Sequence, residues 1–207
     1  MDEIRPVPDD STDRKHDALS DESTVGTVYR IDLGMVNVYL VDDGQVTLID
    51  AGTPWSGERL ERGLGQAGYT AEDIDRILLT HFDLDHVGTL GDVQFDGPIY
   101  AMEPDASFID GSQKPPLSNH KGLFQRLTDF LIPRPAGPIE RIDDGVDVGG
   151  FTAYHTPGHT PGHAVYVHEA LGVAFLGDLV DGDDGDFSRV PRIRMYNRDA
   201  NADSMRR

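Results

Sequence analysis

Four side chains that can bind a metal ion lie within six residues of one another in this sequence. His81, Asp83, Asp85 and His86 follow directly on Ile74–Leu79, an almost continuous apolar run that predicts a strand buried on both faces. Imidazole and carboxylate groups at this density are ligands that zinc, iron and manganese accept. The segment therefore predicts a divalent-metal site at the end of a buried strand.

Two later segments place further metal-competent side chains at predicted strand ends. His155, His159 and His163 recur every four residues, and the prolines and glycines between them predict a tight loop rather than a helix face. Asp178 follows Gly177 at the end of another apolar run. We expect the three strand ends to share one rim of a layered domain, so that their side chains form a single site.

Together these segments resemble the metallo-β-lactamase superfamily, in particular its glyoxalase II-like members. The resemblance rests on the motif Thr80-His81-x-Asp83-x-Asp85-His86, the loop Thr156–Thr160, the pair Gly177-Asp178 and the turn Leu48–Gly52. It covers about residues 25–190. It implies an α/β (α+β) fold, namely an αββα sandwich of two mixed sheets with helices outside and a metal site at one edge between the sheets.

The resemblance also implies a set of ligands for one or two divalent metals, with zinc foremost and iron or manganese as alternatives. The expected ligands are His81, Asp83 and His159 for the first metal, Asp85 and His86 for the second, and Asp178 as the bridge between them. Two further residues, His163 and Asp50, are expected to orient ligands through hydrogen bonds instead of binding metal.

Two features depart from the superfamily pattern. Asp83 stands where most members have a histidine, and oxygen-richer ligation shifts the preference toward iron or manganese. Members also supply a later histidine to the second metal, whereas no histidine follows His168 in this sequence. We expect either that the chain ends before this ligand or that its second metal position is incomplete.

The expected activity is hydrolysis by a metal-bound hydroxide. Asp85 is the expected catalytic residue, which orients the hydroxide and carries a proton to the leaving group. Two divalent metals balanced by Asp83, Asp85, Asp178 and a hydroxide form a formally neutral core, which favours an ester, thioester or lactone carbonyl over a phosphodiester. Two alternatives stay open: a diiron redox or oxygen-using enzyme of the same superfamily, and a catalytically impaired metal-binding protein.

Hydrophobic patterning predicts the elements that position these residues. Residues 1–22 are charged and aperiodic, which predicts a disordered acidic arm ahead of one metallo-β-lactamase-like domain at 23–207. The predicted strands are Thr24–Leu33, Val36–Val41, Val46–Ile49, Ile74–Leu79, Ile99–Met102, Phe151–His155, Ala164–Val167 and Val173–Leu176. The predicted helices are Ser56–Gly65, one spanning Leu123 to Leu131, and one that opens at Asn201–Arg207.

The amino-acid composition restricts the classes of molecule that this protein is expected to bind. Lys and Arg number 18 against 37 Asp and Glu, and a formal net charge of −19 repels nucleic acids and anionic membranes. A small-molecule substrate is therefore expected, and Lys114, Lys121 and His120 are candidates to contact a substrate carboxylate. The absence of cysteine excludes disulfides and thiolate ligands. No signal peptide or apolar span is recognisable, so a cytoplasmic location is expected, and the oligomeric state is not predicted.

The charge excess also predicts a protein adapted to concentrated salt, because self-repulsion of an acidic surface is screened by ions. We expect the melting temperature to rise by about 5 °C or more between dilute buffer and molar KCl, which corresponds to roughly 2 kcal/mol for a domain of this size. Thermal unfolding followed by circular dichroism across a KCl series measures this. A melting temperature that is flat or falls with salt would contradict the hypothesis.

Overall fold

The computed structural model describes residues 5–6, 26–91, 95–183 and 186–207. The arm predicted at 1–22 lies outside the described residues except for Arg5–Pro6, which pair with Arg30 and Tyr29 as a two-residue strand. Within the described part of the chain, no helix is long and apolar enough to cross a bilayer.

The described strands of the larger sheet lie side by side in the order in which they occur in the chain. The first four pair antiparallel, and from the fourth strand onward the pairing is parallel. They are β1 (Arg5–Pro6), β2 (Thr27–Asp32), β3 (Asn37–Asp42), β4 (Val46–Ile49), β5 (Arg76–Leu78), β6 (Ile99–Met102) and β7 (Ile139–Ile142). A tight turn joins β3 to β4, and Gly44 in it has a φ of 102°. From β4 to β7 the strands pair parallel, so their carboxyl ends meet at one edge.

Helices connect the parallel strands, as parallel pairing requires. The α-helices are α1 (Gly57–Ala67), α2 (Leu84–Val87), α3 (Asp105–Ile109), α4 (His120–Thr128) and α5 (Arg198–Ser204). Single turns of 3-10 helix lie at Ala71–Asp73, Asp129–Leu131, Gly177–Leu179 and Arg192–Arg194. Both α3 and α4 lie in the long connection between β6 and β7, and α4 continues into one of the 3-10 turns.

The smaller sheet is built from the last third of the chain. Its strands are β8 (Asp147–Val148), β9 (Phe151–His155), β10 (Ala164–His168) and β11 (Val173–Phe175), and a separate hairpin contains β12 (Asp181–Asp183) and β13 (Asp186–Ser188). Their order in the sheet is β11, β10, β9, β8, and each described pair is antiparallel.

Alternate side chains of the larger sheet contribute to two separate cores. Leu48 and Ile77 pack in a core with residues of α1 and α3, whereas their neighbours Ile49 and Leu78 pack with Tyr166 of the smaller sheet. Successive strand residues point to opposite faces, so a strand covered on both faces has to be apolar throughout. The predicted α+β sandwich of two sheets is thereby confirmed.

Three local differences from the predicted elements have physical reasons. The smaller sheet is antiparallel and not mixed, because short connections join its successive strands. The strand β7 was not predicted, since Ile139–Ile142 carries the exposed charges of Glu140 and Arg141 at the edge of the larger sheet. Helix α5 begins at Arg198 and not at Asn201, because the Asn197 side chain accepts hydrogen bonds from the first-turn amides.

Arg76 links the two sheets from a buried position in β5. Its guanidinium donates to Thr47 Oγ1 at 2.8 Å, to Gln45 Oε1 at 2.7 Å and to the Gly149 carbonyl, near the start of β9, at 2.9 Å. The same group lies 5.6 Å from the ring centre of Phe151. A buried cation that satisfies neutral acceptors on both sheets helps to fix how they pack.

We expect Arg76→Met to lower the free energy of unfolding by about 2–3 kcal/mol, because the mutation leaves the buried Thr47 hydroxyl and Gly149 carbonyl without this partner. For a domain of this size that corresponds to a fall of roughly 5–10 °C in melting temperature. Urea and thermal unfolding measure the change. Arg192→Met, at an exposed arginine, is the matched control, and an equal effect in both variants would contradict the role of Arg76.

Candidate metal centre

Three strand ends meet at the edge between the two sheets. The His81 motif follows β5, the loop with His159 joins β9 to β10, and Asp178 follows β11. The first amide of β10, at Ala164, donates to the Thr80 carbonyl at 2.7 Å, which ties this loop to the His81 segment. The segments that the sequence places at strand ends are therefore adjacent in the fold.

Five of the six expected ligands form two groups that share His81. One group contains His81, Asp83 and His159, the other contains His81, His86 and Asp178, and the ligand atoms within each group lie within 4.8 Å of one another. The Asp83 carboxylate is 2.9 Å from His159 Nε2 and 3.3 Å from His81 Nε2. The Asp178 carboxylate is 3.5 Å from His86 Nε2 and 3.3 Å from His159 Nε2.

Asp85, the sixth expected ligand and the expected catalytic residue, lies at the margin of this cluster. Its carboxylate is 4.0 Å from His86 Nε2 and belongs to neither group. About a third of the side chain is exposed, and it lines the neighbouring cavity. Asp85 is therefore placed between the histidines and the space open to a small molecule.

Hydrogen bonds orient the two histidines of the second group so that one ring nitrogen of each points into the site. The Thr80 hydroxyl donates to Asp50, and its oxygen lies 2.9 Å from His81 Nδ1. The His86 Nδ1 atom lies 2.8 Å from Asp50 Oδ2. With both Nδ1 atoms so engaged, the buried Nε2 atoms of His81 and His86 lack a hydrogen-bond partner, which fits a metal ion.

Asp50 is the common hydrogen-bond partner of Thr80 and His86 in this arrangement. Besides contacting His86, its carboxylate accepts the Thr80 amide at 2.8 Å. Its backbone has a positive φ of 61°, which is uncommon for any residue other than glycine. This conformation lies in the turn after β4, where the next residue, Ala51, donates to the His86 carbonyl at 2.7 Å.

The pKa of His86 is raised well above its usual value. Burial opposes protonation, but the carboxylates of Asp50 and Asp178 outweigh that cost. A metal ion bound at His86 Nε2 would compete with this proton, so its affinity would fall with falling pH.

His163 contacts the backbone of Asp178 and belongs to neither ligand group. Its Nε2 atom accepts the Asp178 backbone amide at 3.1 Å, and Nδ1 lies 2.8 Å from Thr156 Oγ1. Burial, together with electrostatic interactions with His81 and neighbouring histidines, lowers the pKa of His163 well below its usual value, so the ring is neutral. His155, by contrast, contacts the Pro161 carbonyl at 2.9 Å.

Lys121 enters the first group, a position that no motif in the sequence indicates. Its Nζ atom lies 2.7 Å from Asp83 Oδ2, 2.6 Å from His159 Nε2 and 2.9 Å from the Arg194 carbonyl, and the side chain is 7% exposed. The Asn119 side chain caps α4 by accepting the Lys121 amide at 2.9 Å, which sets the start of the helix at the site. The sequence feature that draws attention to Lys121 is that the chain has only three lysines. This feature indicated a contact with substrate and not with Asp83 or His159.

The Lys121 charge changes the protonation of both neighbours. Burial opposes ionisation of Asp83, but Lys121, with His159 and His81, holds the pKa of Asp83 well below its usual range. Burial lowers the pKa of His159 to about 4, and electrostatic interactions with His81 and Lys121 act in the same direction, although the contact with the Asp83 carboxylate opposes the shift. Asp83 is therefore ionised and His159 neutral at neutral pH.

The other two side chains expected to contact a substrate, Lys114 and His120, are engaged elsewhere. Lys114 is exposed and lies 3.9 Å from Asp129. The His120 ring lies 2.9 Å from the Ile193 carbonyl.

Asp105, which the sequence analysis did not single out, joins the two histidine segments. Its buried carboxylate accepts the amides of Phe82 and Gly162, each at 2.8 Å, and the hydroxyl of Thr160 at 2.5 Å. Burial raises the pKa of Asp105, while the Thr160 hydrogen bond and its other partners oppose the rise. At the start of a short apolar helix, Asp105 has the sequence signature of an ordinary first-turn acid.

A cavity of about 560 Å³ opens beside the centre. Asp83, Asp85 and Lys121 line it on the side of the cluster. Most of the remaining wall is apolar, and its large side chains include Met35, Trp55, Leu84, Phe124 and Ile193. The centre is therefore accessible to a ligand that has both a polar reacting group and an apolar body.

Comparison with known proteins identifies relatives across most of the chain. Residues 31–204 match the metallo-beta-lactamase superfamily. The uncharacterized protein YobT of Bacillus subtilis is 31% identical over 151 residues, and the probable metallo-hydrolase YqjP of the same organism is 28% identical over 171 residues. The matches take in 69% and 72% of this chain but 61% and 53% of those proteins, so the chain spans little more than half the length of these relatives.

Solved structures show the same fold. The hydrolase AbOPH of the beta lactamase superfamily aligns with a TM-score of 0.66 at 21% identity, over 89% of this chain and 82% of its own. BJP-1, a subclass B3 metallo-beta-lactamase of Bradyrhizobium japonicum, aligns with a TM-score of 0.56 at 22% identity, over 79% and 58%. The match over residues 31–204 is supported by the shared sandwich fold and by the histidine and aspartate segments at its edge. This chain therefore belongs to the metallo-beta-lactamase superfamily.

Proposed function

We propose that this chain is a metal-dependent hydrolase that acts on a carbonyl ester, thioester or lactone with an apolar acyl group. The observation that supports a metal is the pair of buried nitrogens, His81 Nε2 and His86 Nε2, which lack hydrogen-bond partners and lie in one group with Asp178. Two imidazoles and a carboxylate are a donor set for zinc, iron or manganese. When bound, such a metal lowers the pKa of a coordinated water and supplies a hydroxide at neutral pH.

The cavity supports an apolar acyl group. Its large apolar side chains include Trp55, 70% exposed, Phe124, 60% exposed, and Ile193, 76% exposed. Exposed apolar patches next to a polar site mark ligand-binding surfaces in soluble proteins. A substrate that buries an acyl chain or ring here would bring its carbonyl toward Asp85 and the histidine groups.

The charge distribution supports a neutral carbonyl over a phosphodiester. The two cations nearest the cluster are engaged with its carboxylates, since Lys121 Nζ lies 2.7 Å from Asp83 and Arg194 Nη2 lies 2.6 Å from Asp178. The chain as a whole has a formal net charge of −19. An anionic substrate would meet this repulsion with little free positive charge at the site, whereas a neutral ester would not.

Asp85 is the group placed to handle protons during the reaction. It lines the cavity, is partly exposed and lies outside both ligand groups. A carboxylate in this position can accept a proton from an attacking water and deliver it to a leaving group.

Metal reconstitution with a substrate panel tests the proposal. The protein is stripped with a chelator and reloaded with Zn²⁺, Mn²⁺ or Fe²⁺, and turnover of nitrophenyl esters, acyl thioesters and lactones is measured. We expect metal-dependent turnover of at least one of these classes. Iron binding with oxygen consumption would favour the redox alternative, and less than one metal per chain without turnover would favour a catalytically impaired protein.

We expect Asp85→Asn to lower kcat by about 10²- to 10⁴-fold, the usual contribution of a general acid–base group. The variant keeps the shape of the side chain, and its metal content should stay at the wild-type level because Asp85 lies outside both groups. Steady-state kinetics and elemental analysis measure the two effects. The exposed Asp96 before β6 provides the matched control, Asp96→Asn. Activity within about twofold of wild type in the Asp85 variant would contradict its role.

We expect Phe124→Asp to raise KM for a long-chain acyl ester by about tenfold or more, because a charge replaces an apolar contact worth about 1.5–3 kcal/mol. KM for an acetyl ester should change little. Leu127→Asp is the matched control, since Leu127 is an exposed residue of the same helix and does not line the cavity. Equal effects of the two mutations on the long-chain ester would show that the acyl group does not bind in the cavity.

A further inference from the structure

The Lys121 ammonium is fully coordinated inside the first group. An ammonium has three N–H donors and no acceptor. Lys121 Nζ has three acceptors within hydrogen-bond distance: Asp83 Oδ2 at 2.7 Å, His159 Nε2 at 2.6 Å and the Arg194 carbonyl at 2.9 Å. Each donor of this nearly buried group therefore has a partner.

The same contacts use the lone pairs that a metal in the first group would need. The Asp83 Oδ2 and His159 Nε2 atoms lie 2.9 Å apart, and the Lys121 ammonium contacts both of them. With Lys121 as the donor to both, neither of these lone pairs is free for a metal. A divalent ion bound to the same two atoms would lie next to the ammonium, and like charges at such separations are strongly unfavourable in a buried site.

Asp83 matches this role better than the histidine that most superfamily members have at its position. A carboxylate forms a charge-assisted hydrogen bond with an ammonium, and this bond is stronger than one between a neutral imidazole and an ammonium. The amide of Gln125, one turn further along α4, donates to the other Asp83 oxygen at 2.7 Å. The carboxylate is therefore held from two sides by α4.

We propose that Lys121 takes the place of the first metal ion, so that this chain binds a single metal, in the group His81, His86 and Asp178. The two groups differ in whether their ligand atoms are free to bind a metal ion, as the proposal requires. In the second group, His86 Nε2 is buried and without a hydrogen-bond partner, and Arg194 contacts only Oδ2 of Asp178, whereas Oδ1 faces His86 Nε2 at 3.5 Å. In the first group, a single ammonium contacts both Asp83 Oδ2 and His159 Nε2. This proposal rests on the proposed function only in that both assume a bound metal ion. It does not depend on which reaction the protein catalyses.

Cobalt titration of wild type and Lys121→Met tests the proposal without an activity assay. The metal-free proteins are titrated with Co²⁺, equivalents are counted from the visible absorption bands, and elemental analysis checks the count. We expect one equivalent in wild type and two in Lys121→Met, because the mutation removes the competing charge and keeps an unbranched chain of similar length. Lys114→Met, at an exposed lysine, is the matched control and should bind one equivalent.

Two results of this titration would overturn the proposal. One is a wild-type count of none or of two. The other is the same count in wild type and in Lys121→Met. Loss of hydrolytic activity in any assay would bear on the proposed function and would leave these counts unaffected.

Acetylation of the wild-type lysines provides a second measurement that does not depend on the folding of a variant. With Co²⁺ at a concentration that saturates the measured site, Lys121 should remain as poorly labelled by acetic anhydride as in metal-free protein, because its ammonium stays on Asp83. Lys114, with a side chain 56% exposed, is the internal standard. A marked metal-induced rise in Lys121 labelling, read by mass spectrometry of peptides, would show that the metal displaces it and would overturn the proposal.

Discussion

Several buried acceptor atoms lie close together at the edge between the two sheets, and positive charge is needed among them. This constraint explains the arrangement of the other side chains at the site. His159 Nε2 lies 2.9 Å from the Asp83 carboxylate and 3.3 Å from the Asp178 carboxylate, and the side chains of all three residues are largely buried. Buried acceptors in such proximity destabilise the fold unless a positive charge or a proton lies among them. Lys121 and Arg194 supply part of that charge from residues far along the chain. The nitrogens of the second group that lack hydrogen-bond partners leave a place for the remaining positive charge.

A single carboxylate, Asp50, determines which histidine atoms face this region. It engages His86 directly and His81 through the Thr80 hydroxyl, so both rings present Nε2 to the site. The residue adopts a positive φ, a conformation that costs an L-residue on the order of 1 kcal/mol or more. The gain that offsets this strain is an oriented donor set, in which the imidazoles cannot rotate away without breaking buried hydrogen bonds.

Most of the fold was predictable because its strands are covered on both faces. The runs Val46–Ile49, Ile99–Met102 and Phe151–His155 have the predicted bounds in the structure. The largely apolar runs of Val46–Ile49 and Ile99–Met102 fit strands of the larger sheet, whereas Phe151–His155 alternates between buried and half-buried residues, and both patterns are visible in one sequence. The edge strand Ile139–Ile142 has no such signature, since an edge strand can carry exposed charges, and its parallel pairing with β6 is a property of the assembled sheet.

The sequence by itself determined which residue types are dense enough to form a metal site and at which strand ends they lie. The His81 motif, His159 and Asp178 are recognisable because catalytic and ligand spacing is local within each segment. Only the tertiary structure decided their partners. Lys121 lies 38 residues from His159 in the chain, and Asp105 lies 57 residues from Gly162. No local pattern encodes contacts over such separations, because they arise when α4 and the loop before β10 pack against the end of β5.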